Sequence, residues 1–385
     1  MSNKVLLIGL GILGKEIFHT LIRTDVDEVV AACRNEVIGD SIVKNGRVGA
    51  AALGKTPKIT FQHMDLENVE ETSQKLAEIE PDIILNSADA YSFWKFYSDF
   101  PREIAKKIGE GSKVGYVSSL PFRLLLPYKL MKAVKKSGIN SHVLVTNDPC
   151  EIINPILGKI GLAPTTGIGD FAHIVEPIKM VVNKKTGTPY QNITVLLVAD
   201  FSTYHLIKRG VAPDENTYAL KIMAYDKEIT EKPEKILLEA ASQMKSTNPS
   251  SPIADQHYTA SIAVGDLLSI LHDKGDLRHC PGPAGILGGY PARLDLDGAH
   301  IVLPDGLCLE DAIKMNERAQ QLEGIKGVTP EGTVMFTDEA VGILEDFMDW
   351  DLKQFNVKDT EKIAADLRIK FNELAKKFKK KENYL

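Results

Sequence analysis

Residues 4–14 read KVLLIGLGILG, an apolar run followed by three glycines at the spacing Gly-x-Gly-x-x-Gly. The unbroken apolar run predicts a buried strand, and the residues after it have helical spacing. Gly9 would allow the tight turn, Gly11 would let the backbone approach a pyrophosphate, and Gly14 would let the helix pack closely on the strand. The stretch therefore predicts a dinucleotide-binding turn, with cofactor contacts from Gly9, Gly11, Ile12, Leu13 and Gly14.

The rest of the first half continues this pattern. Short β-branched runs alternate with helical stretches, which predicts βαβ units on a doubly wound parallel sheet of Rossmann type. The strand-like runs fall at 4–10, 28–33, 58–64, 82–88, 113–119 and 142–147. Residues 39–57, rich in glycine and small side chains, predict a loop.

After about residue 150 the pattern changes, and no second glycine fingerprint follows. Strand-like runs at 193–201, 221–230 and 298–304 are joined by helical stretches at 231–245, 257–272, 309–321 and 358–380, and 279–291 predicts a loop and turn. We therefore predict an α/β protein with a dinucleotide-binding domain (1–165), an α+β substrate domain (166–350) and a C-terminal helical extension (351–385).

Composition argues against several kinds of partner. The net charge of −6 does not favour nucleic acid, which usually binds a basic face. No apolar run reaches the ~20 residues of a membrane-spanning helix. The four cysteines lack Cys-x-x-Cys spacing, so neither a zinc site nor a disulfide framework is expected. We expect a cytoplasmic protein that acts on a small molecule without a metal.

The end of the second strand bears on which dinucleotide binds. An acidic side chain there would hydrogen-bond the ribose 2′-hydroxyl of NAD, but this chain has Arg34 and Asn35. Arginine can pair with a 2′-phosphate, so NADP is favoured, while the nearby Glu36 keeps NAD open. Asp65, after the third strand, would approach the adenine or cap a helix. Ala88, at the end of the fourth strand, completes the expected cofactor contacts.

The chain resembles the lactate/malate dehydrogenase superfamily in the order and spacing of several stretches. Those stretches are the glycine turn, TNDPCEIINPILGKIGL (146–162), TGIGDFAH (166–173), HYTASIAVGDLLSIL (257–271) and GGYPARLDLDGAHIVLPDGLCLEDAIKMNERAQQL (288–322). The resemblance implies a Rossmann domain followed by an α+β domain of lactate/malate dehydrogenase type. It also implies an NAD(P)-dependent oxidoreductase that forms a homodimer or a higher homo-oligomer.

In that family a buried aspartate orients a histidine, which exchanges a proton with the substrate hydroxyl while a hydride moves to the nicotinamide. The family's aspartate position, four residues after Gly169, holds His173, and its histidine position, 27 residues later, holds Asp200. The resemblance therefore implies the same pair with its members exchanged: His173 as acid/base and Asp200 as its orienter. His205 is a rival acid/base.

The substrate positions match the family unevenly. Asn147 matches the turn asparagine beside nicotinamide and substrate, and Thr259 matches a small polar residue that faces the pocket. Glu176 stands where the family has a carboxylate-binding arginine, which argues against lactate and malate themselves. Arg123, which follows a predicted strand, is a candidate substitute clamp that the family does not support.

Two other functions stay open. The stretch VSSLPFRLLLPYKLMK (117–132) resembles the short-chain dehydrogenase arrangement, with Ser118 or Ser119 followed by Tyr128 and Lys132. Tyr-x-x-x-Lys places both side chains on one helix face, where lysine activates the tyrosine. The absent arginine and the altered histidine motif also fit an NADP-binding regulator without catalysis.

Overall fold

A computed structural model describes residues 3–109, 111–169, 171–229, 231–245 and 256–382. Its largest sheet has six parallel strands: β1 (Lys4–Ile8), β2 (Glu28–Cys33), β3 (Lys58–His63), β4 (Ile83–Asn86), β5 (His142–Val145) and β6 (Thr166–Gly167). The spatial order is β3-β2-β1-β4-β5-β6, which confirms the predicted Rossmann sheet. From β1 to β3 successive strands are added on one side of β1, and from β4 onward they are added on the other side. Doubly wound sheets bind ligands at the point where this order switches, here between β1 and β4.

Helices cover both faces of this sheet, so the strands are apolar on both sides. The helices of the first half are α1 (Ile12–Leu21), α2 (Glu36–Ala52), α3 (Val69–Ile79), α4 (Phe93–Asp99), α5 (Arg102–Ile108), α6 (Gly115–Ser137) and α7 (Cys150–Lys159).

Residues 39–57, predicted as a loop, are mostly helix α2. Gly39 and Gly46 lie on its buried face, where a Cβ atom would come 2.1 Å from the ring of Phe61 and 2.4 Å from that of Phe18. The small residues that suggested a loop therefore form a packing surface, which lets the helix lie close to the aromatic rings beneath it.

The predicted strand at 113–119 is wrong, because these residues lead into and begin α6. The hydroxyl of Ser118 donates to the carbonyl oxygens of Ile108 and Gly115 and holds the first turn. α6 is buried over most of its circumference, so its sequence lacks the polar face by which a helix is recognised. Arg123 consequently lies inside a helix rather than after a strand.

Three antiparallel sheets lie in the described residues of the second half. Their strands are β7 (Ile193–Ala199), β8 (Tyr218–Ala224) and β9 (Lys227–Glu228); β10 (Asp276–Pro281), β11 (Gly289–Asp295) and β12 (Gly298–Ile301); and β13 (Ile325–Val328), β14 (Thr333–Phe336) and β15 (Gln354–Asn356). The stretch 279–291, predicted as loop and turn, contributes to β10 and β11, and the last sheet was not predicted.

The helices of this half are α8 (Ala172–Thr186), α9 (Phe201–Lys208), α10 (Pro233–Lys245), α11 (Gln256–Leu271), α12 (Leu309–Gln320), α13 (Asp338–Met348) and α14 (Thr360–Glu382). Within the described ranges, none of the protein's helices has the length and apolar character needed to cross a membrane.

Two helices join the second half to the first. α11 packs against α1, and its Ala260 and Val264 belong to the same apolar cluster as β1 and β2. α14 packs against α6, where the ring of Phe371 lies 5.4 Å from that of Phe100 and 5.7 Å from that of Phe122, centroid to centroid. The terminal helix is therefore part of the core of the first half.

Gly14→Ala is expected to destabilise the protein, because the new Cβ would lie 1.8 Å from the carbonyl oxygen of Gly9. Such overpacking costs about 1–3 kcal/mol. Gly49→Ala on α2 is the matched control, since a Cβ there meets nothing within 4 Å; it should stabilise the helix by about 0.5–1 kcal/mol. Urea unfolding measures both, and equal midpoints for Gly14→Ala and wild type would contradict the close packing.

Candidate active site

A cleft of about 1170 Å³ lies between the carboxyl edge of the parallel sheet and helices α8, α9 and α11. It brings together most of the residues that the sequence singled out. Those lining it are Gly9, Gly11, Ile12, Leu13, Gly14, Arg34, Asp65, Ala88, Arg123, Asn147, His173 and Thr259. Two predicted residues, Asn35 and Asp200, are not among its lining residues.

One end of the cleft is the glycine turn. Gly9 has φ +94°, a conformation that L side chains rarely adopt, and a Cβ there would lie 2.5 Å from the amide nitrogen of Ala88. Gly11 precedes α1, and nothing lies within 4 Å of the position of its missing Cβ. The turn thus offers open space directly before a helix N-terminus, where backbone N–H groups and the helix dipole favour a pyrophosphate. These residues fit a dinucleotide cofactor.

Beyond the end of β2, Arg34, Asp65 and Glu67 line the cleft. The Arg34 guanidinium lies 3.5 Å from the Glu67 carboxylate, and both side chains are more than half exposed. An exposed pair of this kind contributes little stability, so it does not hold Arg34 away from a ligand. Asn35 was expected to contact the cofactor, but it does not line the cleft. Its side-chain oxygen accepts the Ile38 N–H at 3.0 Å and caps α2.

Midway along the sheet edge, two asparagines join the ends of β4 and β5. The Asn86 side-chain amide donates to Asn147 Oδ1 at 2.9 Å, and Asn147 Nδ2 donates to the Ala88 carbonyl oxygen at 3.0 Å. Asn147 is only 2% exposed. Its amide group therefore fixes the sheet edge at the point where the family resemblance places nicotinamide and substrate.

Arg123 reaches the same part of the cleft from α6, where it forms an ion pair with Asp89. The two side chains are 11% and 15% exposed. Burial raises the pKa of the Asp89 carboxyl, and the neighbouring Arg123 charge opposes that rise. The arginine therefore presents its charge to the cleft already paired with an acid, unlike an arginine reserved for a substrate carboxylate.

His173 lies in the first turn of α8, and its Nε2 is 3.0 Å from the Thr259 hydroxyl oxygen on α11. The ring of Tyr258 lies 5.3 Å from that of His173, centroid to centroid. Burial, with a smaller contribution from the charge of Lys208, lowers the pKa of His173 to about 4. The imidazole is therefore neutral at pH 7 and can accept a proton or share one in a hydrogen bond.

Asp200 does not contact His173 in the structure, which corrects the expected pairing. Its Oδ1 accepts hydrogen bonds from the Ser202 N–H at 3.0 Å, the Ser202 hydroxyl at 2.7 Å and the Tyr116 hydroxyl at 3.1 Å. β7 leads directly into α9, so this carboxylate caps the helix and points into the core. Burial raises its pKa. Asp200 therefore supports the wall of the cleft from behind.

His205, the rival acid/base, lines the cleft from α9 and bonds through Nδ1 to the carboxylate of Glu323. Glu323 is almost fully buried. The sequence did not indicate it, because 118 positions separate the two residues. Nothing in the local pattern around Glu323 distinguishes it from a surface acid.

Two helix faces complete the wall opposite the sheet. α8 contributes His173, Glu176, Pro177 and Met180, and α9 contributes Phe201, Tyr204, His205 and Lys208. Both sets have the spacing i, i+3, i+4, i+7, which marks one face of a helix. The same spacing is visible in the sequence at 173–180 and 201–208, and it is the signal by which these two faces could be found. Lys208 Nζ lies 5.8 Å from the centroid of the Tyr204 ring.

The tyrosine–lysine alternative does not coincide with the cleft. Tyr128 and Lys132 line a separate hollow of about 600 Å³, where Lys132 Nζ lies 5.3 Å from the Tyr128 ring centroid. The hydroxyls of Ser118 and Ser119 bond to backbone carbonyls of α6. The short-chain dehydrogenase grouping is therefore not assembled beside the glycine turn.

Solved structures show the same fold. The chain is similar to the lactate dehydrogenase of Cryptosporidium parvum, solved with lactic acid and nicotinamide adenine dinucleotide, with a TM-score of 0.58 and 15% identity over 84% of this chain and 97% of that chain. It is similar to the malate dehydrogenases of Picrophilus torridus (TM-score 0.58, 13% identity, 84% and 97% covered) and Salinibacter ruber (0.54, 13%, 90% and 99%). No protein-family model and no curated protein sequence matches the chain. The lactate/malate dehydrogenase fold is thus confirmed.

Gly11→Ala is expected to weaken dinucleotide binding without unfolding the protein. Its new Cβ meets no atom within 4 Å, so the fold tolerates it, but it occupies the space before α1. We expect at least a tenfold rise in the dissociation constant for the dinucleotide, measured by fluorescence titration, with an unchanged melting temperature. Unchanged affinity would show that the pyrophosphate does not use this turn.

Proposed function

We propose that this protein is an NAD(P)-dependent oxidoreductase that transfers a hydride between a nicotinamide cofactor and a small hydroxy or keto compound. The observation that carries the proposal is one continuous cleft, with the glycine turn at one end and the His173–Thr259 pair on its wall. The first feature suits a dinucleotide, and the second suits proton exchange with a substrate oxygen.

NADP is the cofactor that we favour. Arg34 at the end of β2 supplies a charge for a 2′-phosphate, and no acid occupies the position that would bind a ribose 2′-hydroxyl. Glu67 beside Arg34 opposes a phosphate, which keeps NAD as the alternative. Among the structural neighbours, the Cryptosporidium enzyme was solved with the NAD form.

In the proposed reaction, α1 and the glycine turn hold the pyrophosphate, and Asn147 orients the reacting groups at the sheet edge. The bound nicotinamide supplies or accepts the hydride. His173 contacts the substrate oxygen and takes its proton when the alcohol is oxidised, a step that its neutral form at pH 7 allows. Thr259 fixes the imidazole through the hydrogen bond to Nε2.

The substrate is expected to differ from lactate and malate. Glu176 lies on the cleft wall at the position where the resemblance implies an arginine, and its carboxylate bonds to Lys179 at 2.8 Å. Arg123 remains as the candidate anion contact, but it is paired with Asp89. The cleft therefore offers a weaker bidentate contact for the carboxylate of a 2-hydroxy acid, and a hydroxy or keto compound with less negative charge suits it better.

We also propose that the protein is cytoplasmic and assembles as a homo-oligomer. The scattered cysteines suit a reducing compartment. Exposed apolar side chains gather on and just after α2: Val37, Ile38, Val48 and Leu53 are 82%, 52%, 72% and 59% exposed. A second copy of the chain would bury this face.

Turnover tests the proposed function. The protein is titrated with NADPH and NADH and then assayed against 2-keto acids, aldehydes and ketones. We expect tighter binding of NADPH, a preference that Arg34→Ala removes, and a fall in kcat of about 100-fold in His173→Gln. Tyr128→Phe serves as control and should retain activity. Cofactor binding without turnover would leave a regulator, and activity lost only in Tyr128→Phe would favour tyrosine chemistry.

Val48→Asp should dissociate the oligomer, because it buries a charge in the proposed interface. Light scattering over a concentration series reports the mass. Val211→Asp, at a half-exposed position outside α2, is the control. A monomeric wild-type protein at all concentrations refutes the assembly.

A further inference from the structure

The second histidine of the cleft, His205, has a carboxylate as a hydrogen-bond partner, whereas the partner of His173 is the Thr259 hydroxyl. His205 Nδ1 bonds to Glu323 Oε1, and the two side chains are 11% and 3% exposed. The other carboxylate oxygen of Glu323 accepts the Gly111 N–H at 3.0 Å. Both oxygens of this buried acid are therefore held, one by the backbone and one by the imidazole.

This arrangement has a chemical consequence for the imidazole. A carboxylate on Nδ1 fixes the tautomer and directs chemistry to the opposite nitrogen, Nε2, and it stabilises the ring when the ring carries a proton. His173 has a hydroxyl as its hydrogen-bond partner and is neutral at pH 7. The two histidines line one cleft but have different hydrogen-bond partners, a hydroxyl for His173 and a carboxylate for His205.

We propose that the His205–Glu323 pair stores the proton of the reaction, a role that rests on the hydride transfer proposed above. In alcohol oxidation the O–H bond breaks, the hydride leaves carbon for the nicotinamide, and the proton passes from the substrate oxygen through His173 to Nε2 of His205. In carbonyl reduction the same proton returns. Glu323 acts as a positioning residue, because its carboxylate holds His205 through Nδ1.

The rings of both histidines lie near the ring of Tyr204. The ring centroids of His173 and His205 lie 6.3 Å and 6.1 Å from that of Tyr204, and all three residues line the cleft. In this scheme, His173 passes the proton that it has taken from the substrate to the carboxylate-backed imidazole of His205, which lines the same cleft.

Several charged groups surround the His205–Glu323 pair, and their charges act on it. Lys208 follows His205 on α9, Arg209 donates to the Gly111 carbonyl oxygen, and the Asp200 carboxylate interacts with Glu323 through its charge. The hollow behind Glu323 is lined by further cations, Lys106, Lys107 and Lys113. The Glu323 carboxylate contacts the imidazole directly, at Nδ1.

The test compares pH profiles of kcat for wild type, His205→Gln, Glu323→Gln and Glu323→Asp. We expect His205→Gln to lower kcat about 100-fold at neutral pH. Glu323→Gln removes the charge that stabilises the protonated ring, so the pH at which carbonyl reduction declines should move down by about one unit. Glu323→Asp should restore part of the wild-type profile. The KM of the cofactor should not change.

Nitrogen-15 NMR of labelled histidine gives a readout that does not depend on turnover. We expect the Nδ1–H tautomer of His205 in wild type and a lower titration midpoint in Glu323→Gln. His257→Gln is the matched control, because His257 pairs with Glu16 at 2.9 Å on the surface and does not line the cleft. It should leave both the profile and kcat unchanged.

The outcomes separate the two proposals. A wild-type protein without turnover on any substrate overturns the proposed function, and the proton store with it. Turnover with an unchanged pH profile in Glu323→Gln overturns the proton store alone. If Glu323→Gln lowers only the melting temperature, the pair is structural, and the proposal again fails.

Discussion

The close approach of α1 to β1 sets the geometry of the rest of the molecule. A Cβ on Gly14 would lie 1.8 Å from the Gly9 carbonyl oxygen, so only glycine allows this distance. α11 packs on α1, and Thr259 on α11 contacts His173. The distance between α1 and β1 therefore also affects the position of the opposite wall of the cleft. Gly11, in the same turn, leaves the space before the helix open. A shift of α1 would therefore alter both ends of the cleft together.

Environment gives the two cleft histidines different chemistry. His173 is buried against rings and a hydroxyl, and its lowered pKa keeps it neutral at pH 7. His205 rests on a buried carboxylate whose second oxygen is held by the backbone. The two imidazoles therefore line one cleft in different surroundings, and a carboxylate partner in general favours the protonated form of a histidine ring.

The fold is that of lactate and malate dehydrogenases, yet its polar groups are arranged differently from what the resemblance implied. β7 runs straight into α9, so Asp200 caps a helix and bonds to Tyr116 rather than reaching His173. An N-cap of this kind stabilises a helix by about 1 kcal/mol. His205, on the same helix α9, lines the cleft. A shared fold thus carries a different constellation, and function has to be argued from the site.

The sequence by itself determined the Rossmann sheet, the glycine turn and the position of His173 near the second Gly-x-Gly, because these depend on residues close together in the chain. It misassigned α2 and the start of α6, where glycines that pack against rings resemble a loop and a helix buried on most sides has no polar face. Only the tertiary structure decided the partners of the catalytic candidates. Glu323 meets His205 across 118 positions and Tyr116 meets Asp200 across 84, and hydrogen bonds over such distances follow from the packing of whole elements, which no local pattern records.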